Sequence, residues 1–156
     1  MGDLQAFSAQ RLVATVGSSI TDIRFFVPGT ATPATTRAFG VVFADVEANN
    51  DVDFTTLEFF DLNNQLIFSR RALAAGNQGL SFLGGVANAG ELIARVRITT
   101  PNNFLTGSGV RLNEVNDFVV MDDFLYASPV AVPEPAAWVL ALMGLAAVAR
   151  KARKTA

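Results

Sequence analysis

From residue 12 to residue 126, short apolar runs rich in Val, Ile, Phe and Thr alternate with Gly, Pro, Asn and Asp. No window before Pro133 keeps the i, i+3, i+4, i+7 apolar spacing of an amphipathic helix for three turns, so the pattern predicts strands throughout. A first strand is expected over 12–16. In 22–27, Ile23, Phe25 and Val27 alternate with Asp22 and Arg24, the mark of a half-buried strand. Pro28-Gly29 ends it with turn chemistry, and the Thr-rich stretch 30–36 around Pro33 reads as a loop. Residues 39–44 are apolar on both faces and predict a central strand covered on both sides. Asn63-Asn64 between 55–61 and 66–71 predicts a hairpin, because Asn tolerates the positive φ of a tight turn.

Residues 80–83 form another short apolar run, ending at Gly84-Gly85. The clearest period-2 signal is Leu92, Ala94, Val96 and Ile98 against Ile93, Arg95, Arg97 and Thr99. A loop is expected over 102–114 and a last strand over 118–126. About eight strands with turn signals at intervals of roughly ten residues predict an all-β fold, a single β-sandwich of jelly-roll type over 1–126. A barrel is the competing architecture. An α/β fold would need helical windows between the strands, and none is present.

After Tyr126 the pattern stops. Residues 127–135 form a small-residue linker whose Pro133 and Pro135 favour extended backbone. Residues 136–149 are 14 uncharged residues that open with Ala136-Ala137-Trp138, and Arg150, Lys151, Arg153 and Lys154 follow within 150–156. As a helix the apolar run would span about 21 Å at about 1.5 Å per residue. The hydrocarbon core is about 30 Å thick, so the run is short for a span. Trp138 at one end suits the membrane interface, and the four basic side chains at the other can snorkel. The plainer alternative is a buried core helix. The run has no polar stripe, however, and a small sandwich with its own core would not easily cover it. The reading is therefore a short C-terminal transmembrane helix with a basic cytoplasmic tail and the body on the opposite side.

Composition narrows the function classes. Hydrophobic residues make up 51% of the 156-residue chain and 13 residues are Phe, which excludes disorder. There is no Cys and no His, so disulfides, thiolate metal sites and the commonest general base are lacking. Eight of the 12 basic residues and all 14 acidic ones precede residue 150, giving that part a net charge of −6. A net acidic body makes nucleic acid an improbable partner. The opening residues Met1-Gly2-Asp3-Leu4-Gln5-Ala6-Phe7 show neither a basic n-region followed by an apolar h-region nor the Ser or Thr at position six that myristoylation needs. Export then implies a start upstream of Met1, and the expectation is an in-frame secretory signal there.

Val132-Pro133-Glu134-Pro135, a short apolar run and a terminal Arg/Lys cluster together resemble the PEP-CTERM sorting signal of Gram-negative bacteria. Pro133, Glu134 and Pro135 match its motif, 136–149 its helix, and Arg150, Lys151, Arg153 and Lys154 its basic end. The resemblance implies an exported protein held at the inner membrane with its body outside. An exosortase, a membrane-embedded cysteine transpeptidase, would process it near Pro-Glu-Pro and pass it to the cell surface. That process commonly accompanies exopolysaccharide and biofilm production. The body also resembles an uncharacterised domain of PEP-CTERM proteins, through 25–30, 38–46, 57–61 and 119–126.

Chemistry in the body is sparse. Asp122 and Asp123 are adjacent in an expected strand, so their side chains should point to opposite faces and not share a site. A calcium ion on Asp45 with Asp122 or Asp123 is the only cofactor the acids suggest. The plainer reading has them cap strand ends or pair with Arg95 and Arg97, and no Asp-x-Asp-x-Asp-Gly loop is present. The body has no Trp and one Tyr, Tyr126, so a sugar-stacking face is poorly furnished and the Phe residues belong in the core. The expected role is non-enzymatic, a structural or adhesive component of the surface or matrix. A glycan- or calcium-binding module is the alternative, and a carboxylate-based hydrolase the least favoured.

Overall fold

Alternation builds the first layer. In β1 (Ile20–Phe26) Ile23 and Phe25 face inward while Asp22 and Arg24 face out, and in β7 (Arg95–Thr99) Val96 and Ile98 are fully buried between outward Arg95 and Arg97. Residues 6–8, 11–47, 54–107, 109–111 and 118–132 are described by this computed structural model. Strand β4 (Thr56–Phe60) pairs antiparallel with β7 and with β5 (Leu66–Arg71), and it buries Leu57 and Phe59. The β4–β5 hairpin turns at Asn64, whose φ of 61° is the left-handed value the Asn pair was expected to supply. At the other side of β1 lie β2 (Pro33–Thr35) and β11 (Val130–Ala131), giving a six-stranded sheet in the order β11-β2-β1-β7-β4-β5.

The second layer has β3 (Ala38–Ala44) at its centre, between β6 (Leu80–Val86) and β10 (Val120–Tyr126). Phe39, Val41 and Phe43 of β3 meet Phe25, Leu57, Phe59, Val96 and Ile98 of the first sheet in one core. Phe39 lies edge-on to Phe25, ring centroids 6.1 Å apart, which ties the two sheets at one end. Near the β5–β6 side, Phe59 and Phe68 stack at 4.2 Å directly under Gly85 of β6. A short hairpin of β8 (Phe104–Thr106) and β9 (Gly109–Arg111) completes the strands. All regular structure among the described residues is β, and none of it includes a helix long and apolar enough to cross a membrane.

Several expectations change. Residues 12–16 make only isolated bridges, Val13 to Met121 and Val16 to Leu105. The expected loop over 30–36 contains β2, which is three residues long and next to an edge, with Pro33 at the strand start. The expected loop over 102–114 contains β8 and β9, and Val130–Ala131 of the expected linker pairs with β2. Strand β3 is buried on both faces, as its composition predicts, but its neighbours leave Phe82, Val86 and Leu125 exposed on the outer side. Residues 133–156, with Pro133, Glu134, Pro135, Trp138, the apolar run and the basic tail, lie outside the described residues.

Gly85 is the tightest point between the layers. A Cβ there would fall inside contact distance of the Phe68 ring and 3.1 Å from Phe59, so the half-buried Phe68 ring would have to shift out of its stack on Phe59. Gly85→Ala should therefore destabilise the body by about 1–3 kcal/mol in chemical denaturation. An unchanged midpoint would mean that the sheets are not packed at this distance.

Candidate functional site

Two places in the body bear on function: the exit of the chain toward residue 133, and the acidic side chains. At the exit, Ala127 is held by β3 and by the Thr36 side chain just before it. Its N–H donates to the Ala38 carbonyl at 3.1 Å and its carbonyl accepts from the Thr36 hydroxyl at 2.7 Å. Val130 then aligns with Thr35 and Ala131 with Ala34, and the Val132 N–H donates to the Pro33 carbonyl at 3.2 Å. The next residue is Pro133, the first of Pro133-Glu134-Pro135. The last contact among the described residues is thus a two-residue exposed strand on the sheet edge, directly before Pro133-Glu134-Pro135.

The acids are occupied by the fold. Asp45, at φ 70°, accepts from the Gln78 N–H at 2.6 Å and so caps the end of β3, as the plainer reading expected. Asp122 and Asp123 depart from expectation. Their side chains converge on Ser8, whose hydroxyl is 2.8 Å from Asp122 Oδ1 and 2.9 Å from Asp123 Oδ1. The reason is a shift of register in β10 between Met121 and Phe124, a bulge that breaks the alternation on which the opposite-face expectation rested. Asp122 also accepts from the N–H groups of Phe7 and Ser8, at 2.6 and 3.1 Å. Burial pushes Asp122 up, but the Ser8 hydroxyl and the two N–H donors outweigh it and hold the carboxyl below its ordinary value of 3.8.

Arg95 and Arg97 do not pair with these acids. Both reach Asp22 across the β1–β7 ladder, Arg95 Nη1 and Arg97 Nε each 2.9 Å from Asp22 Oδ1. Hydrogen bonding from Arg97 lowers the Asp22 pKa, against burial and with further help from Arg95. Arg95 is itself buried, stacked over the Phe60 ring at 3.8 Å and bonded to Asn64 Oδ1. Sequence reasoning missed this network because its members sit 73 and 75 residues apart.

For calcium, Asp45 is engaged with Gln78, and Asp122 and Asp123 with the 7–8 segment. Among the described residues no group of three or more acidic side chains is placed to hold a metal ion. The arrangement fastens chain segments together, and its chemistry is hydrogen bonding to carboxylates.

Asp122→Ala should free the Phe7 and Ser8 amides, raising their hydrogen exchange about tenfold, the worth of one hydrogen bond of ~1.4 kcal/mol. Because the folded pKa is depressed, the stabilisation is complete above 3.8 and is lost as pH falls through the lower folded value. Exchange protection at Phe7 that vanished near neutral pH would contradict the assignment.

Residues 131–154 match the family model of the PEP-CTERM protein-sorting motif. No curated protein and no solved structure matches the chain.

Proposed function

We propose that this chain, which carries a PEP-CTERM protein-sorting motif at 131–154, is a non-enzymatic structural or adhesive protein delivered to the cell surface or its matrix. The motif marks an exported protein sorted by an exosortase. The match carries this reading, and its first residue, Ala131, is still paired in β11, two residues before Pro133. In this reading residues 1–126 are the cargo and 127–135 present the processing site. Residues 136–149 are held in the inner membrane, and 150–156 stay in the cytoplasm with Arg150, Lys151, Arg153 and Lys154.

Physical chemistry supports the division of labour. A membrane-embedded transpeptidase needs extended, reachable backbone next to the bilayer, and two prolines keep such a stretch out of helix and sheet. An apolar run about 9 Å shorter than the usual core suits temporary rather than permanent residence. The use of Asp22, Asp45, Asp122 and Asp123 in fastening the fold weighs against the carboxylate-based hydrolase. Association with exopolysaccharide is part of the same proposal.

Replacing Glu134 by Ala in the native host tests it. The uncleaved chain should accumulate in the inner membrane fraction, with the surface form reduced about tenfold or more. Processing at the unsubstituted rate would remove Glu134 from the recognition site and with it this reading.

A further inference from the structure

The two sheets have four edges, and three of them are blunted. Strand β11 is two residues long. Strand β5 ends on exposed Arg70 and Arg71. Strand β10 carries its bulge, and on the side away from β3 its Met121 exchanges both backbone hydrogen bonds with Val13, at 2.7 and 2.8 Å. These are the devices that keep sheet edges from pairing with other chains.

Strand β6 has none of them. Its seven residues, Leu-Ser-Phe-Leu-Gly-Gly-Val, include no charge and no proline. The register fixes which groups face outward. Asp45 donates to Gly79 and Ala87 donates to Arg37, so the hydrogen-bonded positions of the β3–β6 ladder are Ser81, Leu83 and Gly85. The N–H and C=O groups of Leu80, Phe82, Gly84 and Val86 therefore point away from β3, and among the described residues no backbone group meets them.

We infer that β6 pairs antiparallel with β6 of a second copy of this chain, joining two three-stranded sheets into one of six strands. The strand is complementary to itself about Leu83. With the two-fold axis there, Leu80 meets Val86 of the second copy and Phe82 meets Gly84. All four outward residues of each strand then exchange hydrogen bonds. On the outer face the Phe82 ring, already lying over Gly40 and Gly84 of its own chain, would lie beside a second bare glycine. Phe82 and Val86, 62% and 66% exposed, gain apolar neighbours. The bodies are acidic and repel at a distance, but the contact itself contains no charge to desolvate. The exposed outer face and the open edge belong to the same strand, so one contact answers both.

The absence of cysteine allows a clean test on the full chain in detergent micelles. Leu83→Cys places two thiols at the axis, where Cα atoms of a non-hydrogen-bonded pair lie about 4.5 Å apart, within disulfide reach. Oxidation should give a covalent dimer at Leu83→Cys and leave Leu66→Cys, on the β5 edge, monomeric. Sedimentation should show a dimer for the unsubstituted chain and a monomer for Val86→Lys, with association weakened about tenfold or more. Val86 is exposed, so that substitution spares the core of the single copy. A single-copy mass for the unsubstituted chain overturns the inference. So does a dimer that persists in Val86→Lys, since it would be held elsewhere, for instance through the apolar tail.

Discussion

Everything in the body depends on one stack of side chains, the inward faces of β3 and of the β1-β7-β4 sheet closing on each other. Phe39, Val41 and Phe43 on one side and Phe25, Leu57, Phe59, Val96 and Ile98 on the other exclude water from a single core. The glycine at position 85 sets how closely the layers approach, because Phe68 and Phe59 lie against it without an intervening Cβ. Once those faces are fixed, every alternate side chain is fixed on the outside as well. The outer face of the larger sheet becomes charged, with Asp22, Arg95 and Arg97 linked across strands. The outer face of the smaller sheet becomes apolar, with Phe82, Val86 and Leu125.

This two-sided character shapes how the body meets its surroundings. The charged face satisfies itself, since Arg95 is buried against Phe60 and bonded to Asp22 and Asn64. The apolar face and the β6 edge beside it are left for another molecule. The chain runs toward the sorting segment on the opposite side of the architecture, along β2 in the larger sheet, and Val132 is the last residue bonded to that sheet among the described residues. The β6 edge and the β11 edge, from which the chain runs on toward Pro133, thus belong to different sheets.

Much of this was legible in the sequence where the signal is local. The alternation in β1 and β7, the two-faced apolar run of β3 and the Asn63-Asn64 hairpin are each contained within a few residues. The sorting motif is likewise linear, and 131–154 could be read whole without a fold. Non-local features were hidden. Strands β2 and β11 are only three and two residues long, and they pair with each other across 95 and 97 residues, Thr35 with Val130 and Ala34 with Ala131. The Asp122–Asp123–Ser8 anchor defeated a period-2 argument because a bulge puts neighbours on one side. Residues 12–16 have the composition of a strand but find no continuous partner and remain isolated bridges.

The central claim is that the C-terminal segment is an address, removed once the body is delivered. Intact mass spectrometry of the protein recovered from the surface of the native host measures this directly. The account predicts a chain that retains the β-sandwich and has lost the apolar run 136–149 together with Arg150, Lys151, Arg153 and Lys154. A surface form whose mass still includes residues 136–156 would contradict it.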